Sequence, residues 1–285
     1  MPEIDEVYKV LVDSMNEAGT PFAERNAKWL LKAQAGINDT TFLACPQHEI
    51  SQDDYLALQN ALRRILHGEP VSRVLGTQEF WGKLFFLSPA TLDPRPETEI
   101  IVEKVIKNFL HKQNEPLDIL DLGTGTGCIL ISLLDEFQKS FGVAVELSYD
   151  ALHMACLNAS INGVEERILP VCGSWADSLS HKFDIIVCNP PYIASDQIES
   201  LPGNVLFYDP ILALDGGQHG IRAIKKIISQ IKFLLKNNGK AFIEIGIGQV
   251  DNVLRLIEDI DTLEADVHPD MAGIPRVVEI SCGDK

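Results

Sequence analysis

Apolar positions in the first part of the chain recur every three to four residues. In IDEVYKVLVDSM, Ile4, Val7, Tyr8, Leu11, Val12 and Met15 fall on one face of a helix. Gly19 and Pro21 interrupt the pattern. AERNAKWLLKAQAG predicts a second helix ending near Gly36. SQDDYLALQNALRRILHG predicts a third, with Ser51 as its N-cap, Gly68 at its end, and Tyr55, Leu58, Leu62, Ile65 and Leu66 on its apolar face. Residues 1–75 therefore read as a small helical bundle.

After Pro70 the pattern changes. QEFWGKLFFLS is aromatic-rich with a glycine near its middle, which predicts a β-hairpin inside a linker spanning residues 76–95. Pro96 suits the first turn of a helix carrying Ile100, Ile101, Val105 and Phe109. From Leu117 onward, strand-like runs (LDILDLG, FGVAVEL, RILPVCG, FDIIVCN, KAFIEIG) alternate with helical ones (CILISLLDEF, ALHMACLNASI, IRAIKKIISQIKFLL). That alternation predicts an α/β fold over residues 96–285, with a parallel, Rossmann-like sheet covered on both faces. TLEADVHPD and PRVVEISC have no long crossover helix between them and predict an antiparallel hairpin at the sheet edge.

Within this frame two stretches carry chemistry. LDILDLGTGTGCILISLL is a strand, a glycine loop and a helix, in which Gly123, Gly125 and Gly127 permit a tight turn and close approach of a ligand to the backbone. The spacing is G-x-G-x-G, not the dinucleotide G-x-G-x-x-G. Glu146 ends the next strand, about twenty residues on, where a doubly wound fold places an acid that accepts both hydroxyls of a ribose. Trp175 follows the third strand, where an aromatic ring either packs on an adenine or serves the core.

The second stretch is DIIVCNPPYIAS. A β-branched strand stops at Asn189-Pro190-Pro191-Tyr192. The prolines fix φ and push the residues before them toward extended backbone. A rigid turn results, presenting the Asn189 side-chain oxygen and the Pro190 carbonyl as acceptors. Two fixed acceptors suit a planar NH₂ group, and Tyr192 offers a flat face. An amide-type nitrogen is a poor nucleophile, and holding both N–H groups aims it and favours the positive charge that develops on it. The electrophile this implies is the methyl group of S-adenosylmethionine on the glycine loop.

Charge and composition narrow the partners. The net charge is −17 with no Lys/Arg-rich run, which disfavours direct nucleic-acid binding. The six cysteines form no C-x-x-C pair and read as reduced, mostly buried thiols. His48, His67, His111, His153, His181, His219 and His268 form no ligand pattern, so no metal is expected. MPEIDEVYKV has no signal-peptide character, and no apolar run is long enough to span a bilayer, so a cytoplasmic protein is expected.

Taken together, PRPETE (94–99), DLGTGTG (121–127), NPPYI (189–193), DPILALDGGQHG (209–220), FIEIGIGQ (242–249) and DMAGIPRVV (270–278) resemble the class I S-adenosylmethionine-dependent methyltransferases. Within them the chain is similar to the HemK/PrmC group, protein-(glutamine-N5) methyltransferases of peptide-chain release factors. PRPETE together with EIGIGQ is the specific combination. The resemblance implies a seven-stranded sheet, cofactor contacts at Gly123, Thr124, Gly125, Thr126, Gly127, Glu146 and Trp175, and a substrate glutamine amide held by Asn189, Pro190, Pro191 and Tyr192, with Asn189 also near the cofactor. It implies that this glutamine lies in the Gly-Gly-Gln loop of bacterial class 1 release factors. The N-terminal bundle is the candidate second recognition surface for that protein substrate. Two positions depart from the common pattern: Ser174 stands before Trp175 where members often carry an acid, and Asp209-Pro210 where many have Glu-Pro. The NPPY element is shared with adenine-N6 nucleic-acid methyltransferases, which are the alternative reading. A non-catalytic S-adenosylmethionine-binding module is the alternative of another class.

Overall fold

A computed structural model describes residues 1–283. The chain divides into two compact units, 1–77 and 78–285. In the first, amphipathic periodicity is realised as helices α1 (Ile4–Glu17), α2 (Ala23–Ala35), α3 (Asp39–Ala44), α4 (Gln52–Leu66) and α5 (Val71–Leu75). Ile4, Val7, Leu11 and Met15 of α1 are buried with Leu30 and Leu31 of α2 and Leu58 and Ile65 of α4. Ser51 caps α4 by accepting the Asp54 N–H at 3.2 Å. Leu66, expected on the apolar face, is instead exposed, because the last turn of α4 rotates it off the stripe. The short helix α3 has no buried residue, so no apolar stripe announces it in the sequence.

The hairpin β1 (Thr77–Phe80) and β2 (Lys83–Phe86) lies in the second unit apart from its first residue, and the helix α6 (Glu99–Phe109) follows. Then come β3 (Asp118–Leu122), α7 (Cys128–Glu136), β4 (Phe141–Glu146), α8 (Tyr149–Ile161), β5 (Ile168–Cys172) and β6 (Phe183–Cys188). Short helices α9 (Gly203–Leu206) and α10 (Ile211–Leu214) precede α11 (Arg222–Leu234), β7 (Leu235–Glu244), α12 (Val250–Glu258), β8 (Leu263–Pro269) and β9 (Pro275–Cys282).

Among the described residues, the main sheet has seven strands in the order β5-β4-β3-β6-β7-β9-β8. The first five are parallel; β9 runs antiparallel to β7, and β8 to β9. Both faces are covered, so successive strand residues go to different cores. Ile119, Ile185, Val187 and Phe242 pack with α6 and α7 on one side. Leu120, Leu122, Ile186, Cys188, Ala241 and Ile243 pack with Ile224, Ile227, Ile228 and Ile231 of α11 on the other.

The hairpin expected inside a linker is part of this unit. Phe80 and Phe85 are buried in the first of these cores, and the Trp81 indole N–H donates to Glu136 at 2.8 Å. The cysteines also differ from expectation. All six are free, but only Cys128 and Cys188 are buried; Cys45 and Cys172 are exposed because one ends a surface helix and the other lies on the edge strand β5. Among the described residues no helix is long and apolar enough to cross a membrane.

Asn158, fully buried on α8, ties the hairpin to the loop after β3. Its side chain accepts the Phe86 N–H at 2.8 Å and donates to the carbonyls of Phe86 at 3.0 Å and Thr126 at 2.9 Å. Asn158→Ala orphans these backbone groups and is expected to destabilise the unit by about 2–4 kcal/mol in denaturant unfolding. A loss below about 1 kcal/mol would show that the hairpin is held by its phenylalanines alone.

Candidate active site

Strand order creates the site. β3 sits mid-sheet; the chain moves outward to β4 and β5, then returns to lay β6 on the other side of β3. The crevice at such a switch point lies beyond the carboxyl ends of the strands. There the structure has a cavity of about 330 Å³, lined by residues following β3, β4, β5 and β6. Gly123, Thr124, Gly125, Thr126, Glu146, Trp175, Asn189 and Pro191 all reach its wall. Of the other sequence-predicted residues, Gly127, Pro190 and Tyr192 lie outside the lining.

Gly123, Gly125 and Gly127 all have positive φ (74°, 56° and 81°), so the loop needs its glycines. A Cβ at Gly127 would lie 2.9 Å from the Ile131 side chain, whereas one at Gly125 would meet open space. Trp175 packs its ring edge on Gly123, 3.3 Å from where a Cβ would stand, and also contacts the core. Ser174 accepts a hydrogen bond from Lys226 Nζ at 3.2 Å.

Glu146 does more than face the cavity. Its Oε2 accepts the Gly125 N–H at 3.0 Å, and its Oε1 accepts the Leu147 and Ser148 N–H groups at 2.8 and 3.0 Å. The carboxylate therefore already braces the glycine loop: three of its roughly four acceptor sites are taken, and one on Oε2 is left for a further donor.

The turn after β6 is clamped from behind. Gln249 Nε2 donates to the Tyr192 carbonyl at 2.9 Å and to the Gly220 carbonyl at 3.2 Å, while Gln249 Oε1 accepts the Gly246 N–H at 2.8 Å. Gly220 has φ +69°, and a Cβ there would stand 2.1 Å from the Tyr192 oxygen. Asn189 Nδ2 donates to Thr98 Oγ1 at 3.0 Å. Thr98 in turn donates to Glu244 Oε2 at 2.7 Å. Tyr192 is half-buried against the core, and its side chain faces Glu244. Arg95 reaches across to Asp209 Oδ2 at 2.6 Å, joining the PRPE segment to the segment before α10.

The comparisons with known proteins agree with this architecture. A "PrmC N-terminal domain" family model matches residues 6–76, and a "Methyltransferase small domain" model matches residues 96–218. The release factor glutamine methyltransferase of Bradyrhizobium diazoefficiens is 39% identical over 278 residues, covering 96% of this chain and 93% of that protein. The chain belongs to the release factor glutamine methyltransferase family. The family member from Agrobacterium fabrum is 36% identical, covering 89% of this chain and 88% of its own length. Among solved structures, the hMettl16 catalytic domain in complex with an RNA hairpin matches with a TM-score of 0.58 at 15% identity, over 95% of this chain and 92% of that one. A methyltransferase from Pyrococcus furiosus matches at 0.50 and 17% identity, over 78% and 97%. At these identities the likeness is one of fold.

The sequence reading of this family member missed four side chains at the site: Thr98, Asp121, Glu244 and Arg95. Each belongs to a motif already quoted, but only the fold brings them together. Asp121, 1% exposed at the end of β3, accepts the Thr124 hydroxyl at 2.7 Å through Oδ2, while its buried Oδ1 has no hydrogen-bond partner. Burial, reinforced by the Glu146 charge, pushes its pKa up to about 7 against the Thr124 hydrogen bond. The folded protein thus holds a proton that the unfolded chain releases above about pH 4. The associated stability is present at low pH and lost as pH rises toward about 7. Asp121→Asn carries no titrating group there. It is expected to match the parent near pH 4 and become the more stable of the two as pH rises, the gap levelling off above about 7 at a few kcal/mol. Thermal unfolding across that range measures it; a gap that does not change with pH would show that Asp121 stays ionised.

Proposed function

We propose that this enzyme transfers a methyl group from S-adenosylmethionine to the side-chain amide nitrogen of the glutamine in the Gly-Gly-Gln loop of bacterial class 1 release factors. The observation that carries this reading is the state of Asn189. Its Nδ2 is committed to Thr98, so its Oδ1 is left as an acceptor beside a cavity at the sheet's switch point.

The residues present fit the cofactor. Asp121 Oδ1 is a buried acceptor without a donor, and the space at Gly125 is open to a ligand that approaches the backbone closely. Gly123, Thr124, Gly125, Thr126 and Gly127 would cradle it, Glu146 would accept from its ribose, Trp175 would flank its adenine, and Asn189 would stand at its reactive end. Bound there, S-adenosylmethionine supplies an electrophilic methyl group.

The chain's own part is positioning and electrostatics. Asn189 Oδ1 and the Pro190 carbonyl accept the two amide hydrogens of the substrate glutamine and aim its nitrogen at the donor. Pro191 and the exposed part of the Tyr192 ring wall the planar group. With the Asn189 side chain held by Thr98 beforehand, its oxygen favours the charge that develops on nitrogen without having to reorganise. No strong base is needed, and the raised carboxyls of Asp121 and Glu244 are not required to act as one.

Mass spectrometry of purified release factor after incubation with the enzyme and S-adenosylmethionine tests the reading. One added methyl on the loop glutamine is expected, and an unmodified factor refutes it. Asn189→Ala is expected to lower kcat by about 10²–10³-fold, as when one preorganised hydrogen-bonding group is lost, with the fold retained. Near-normal turnover in that variant would remove Asn189 from the chemistry.

The first unit is proposed to recognise the protein substrate. A single loop offers little contact area, whereas specific complexes bury about 1,200–2,000 Å². A chain beginning at Gln78 is expected to bind S-adenosylmethionine in calorimetry yet methylate intact release factor far more slowly. Equal rates would assign recognition to the second unit alone.

A further inference from the structure

An amide side chain has two ends of opposite polarity: Oδ1 accepts and Nδ2 donates. Only one orientation of Asn189 can receive an incoming NH₂ group, and what selects it lies behind the turn. Thr98 Oγ1 sits between Asn189 Nδ2, at 3.0 Å, and Glu244 Oε2, at 2.7 Å. Thr98 and Glu244 are each only 2% exposed, which leaves little opportunity for solvent to take either partner's place. A hydroxyl has one hydrogen. Once Thr98 gives it to an ionised Glu244, the oxygen can only accept from Asn189, so Nδ2 must turn toward Thr98 and Oδ1 is left for the substrate.

We propose that Thr98 and Glu244 are positioning residues that set the polarity of the Asn189 amide, and that protonating Glu244 reverses it. A protonated Glu244 donates to Thr98 Oγ1. The Thr98 hydrogen is then free to point at Asn189, and Oδ1 becomes the favoured partner. The amide rotates, and its NH₂ meets the NH₂ of the substrate, donor against donor. No covalent bond changes; one proton arrives from solvent and two hydrogen bonds reverse direction.

The surroundings make this switch accessible near neutral pH. Glu244 ends β7 and is faced by Thr98 and Glu97 from the segment before α6, by Tyr192 from the turn after β6, and by Arg276 from β9. Burial pushes its pKa up to about 7; the Thr98 hydrogen bond, the Tyr192 hydroxyl and the Arg276 charge oppose the rise, and Glu97 adds to it. The inference rests on the reading of Asn189 as the acceptor for the substrate amide.

The test is kcat and KM for release factor against pH, in the parent enzyme and in Thr98→Val, Thr98→Ser and Glu244→Gln. The parent kcat is expected to fall as pH drops through about 7, with KM little changed. Thr98→Val keeps the shape and loses the hydroxyl; it is expected to lower kcat roughly a hundredfold and abolish the acid limb. Thr98→Ser is expected to restore most of both, and Glu244→Gln to flatten the limb. S-adenosylmethionine affinity, measured by calorimetry, is expected to stay near the parent value in Thr98→Val, which separates positioning from collapse of the site. A parent-like kcat and acid limb in Thr98→Val overturn the proposal.

A readout independent of turnover accompanies these. The Asn189 side-chain NH₂ resonances are expected to shift as Glu244 titrates in the parent and to stop doing so in Thr98→Val. Resonances indifferent to pH overturn the relay even if release factor is methylated. A parent enzyme inert toward release factor refutes the substrate reading, and the relay is then decided by these resonances alone.

Discussion

Parallel strand pairing is the constraint on which the site depends. In β3, β4 and β6 the register aligns Leu122 with Val145 on one side and with Cys188 on the other, and Cys188 in turn aligns with Ile243 on β7. The next residues along are Gly123, Glu146, Asn189 and Glu244. Four strands therefore deliver a glycine loop, the acid that braces it, the Asn189 amide and the buried carboxyl behind that amide to one edge of the sheet. Since the strands run in the same direction, the helices return the chain to the far edge each time, and the near edge is left to loops. A slip of one residue in any pair would turn these side chains to the opposite face and break both cores at once.

Two buried carboxyls stand at that edge at a cost. Asp121 leaves one oxygen without a donor, and an unsatisfied buried polar group costs about 1–3 kcal/mol. Glu244 is nearly sealed yet has hydroxyls from two directions and an arginine nearby. Perturbed acids of this kind concentrate at functional sites, because burial there serves chemistry instead of stability. The two acids differ in what they lack. Asp121 keeps one oxygen without a donor, whereas Glu244 is satisfied internally and acts through Thr98. That difference is why one is read as part of the cofactor's seat and the other as support for the amide.

Much of the fold was legible in the sequence because the central strands are buried on both faces and so read as short, mostly apolar runs between helical ones. The glycine loop and the Asn-Pro-Pro-Tyr turn were legible because their residue types are needed for backbone reasons at consecutive positions. What stayed hidden depends on distance along the chain. Thr98 and Glu244 lie 146 residues apart, and Arg95 and Asp209 lie 114 apart, so no local pattern announces either pair. Glu146 showed the opposite failing: its position suggested a ligand contact, but nothing local revealed that three backbone N–H groups already hold it. The hairpin was recognised as a hairpin yet placed in a linker, because its anchors are Asn158 and Glu136, more than fifty residues away.

The Asn189 turn owes its rigidity to more than its prolines. Proline fixes φ at positions 190 and 191 but leaves the peptide planes free to tilt. The Tyr192 carbonyl is pinned by Gln249, and Gly220 approaches it so closely that any side chain there would collide. One residue on, the Ile193 N–H donates to Leu214 at 3.0 Å, and its carbonyl accepts from Gly216 at 2.8 Å. Thr98 holds the Asn189 side chain from a fourth direction. These contacts come from the segments 94–99, 209–220 and 242–249, three of the segments that carry the family resemblance outside the glycine loop. Their common task is mechanical. An acceptor that swings by an ångström has to be reorganised during the reaction, and the advantage of a preorganised site is then lost. Gln249, Gly220, Leu214 and Gly216 thus never reach the cavity, yet they hold still the turn that does.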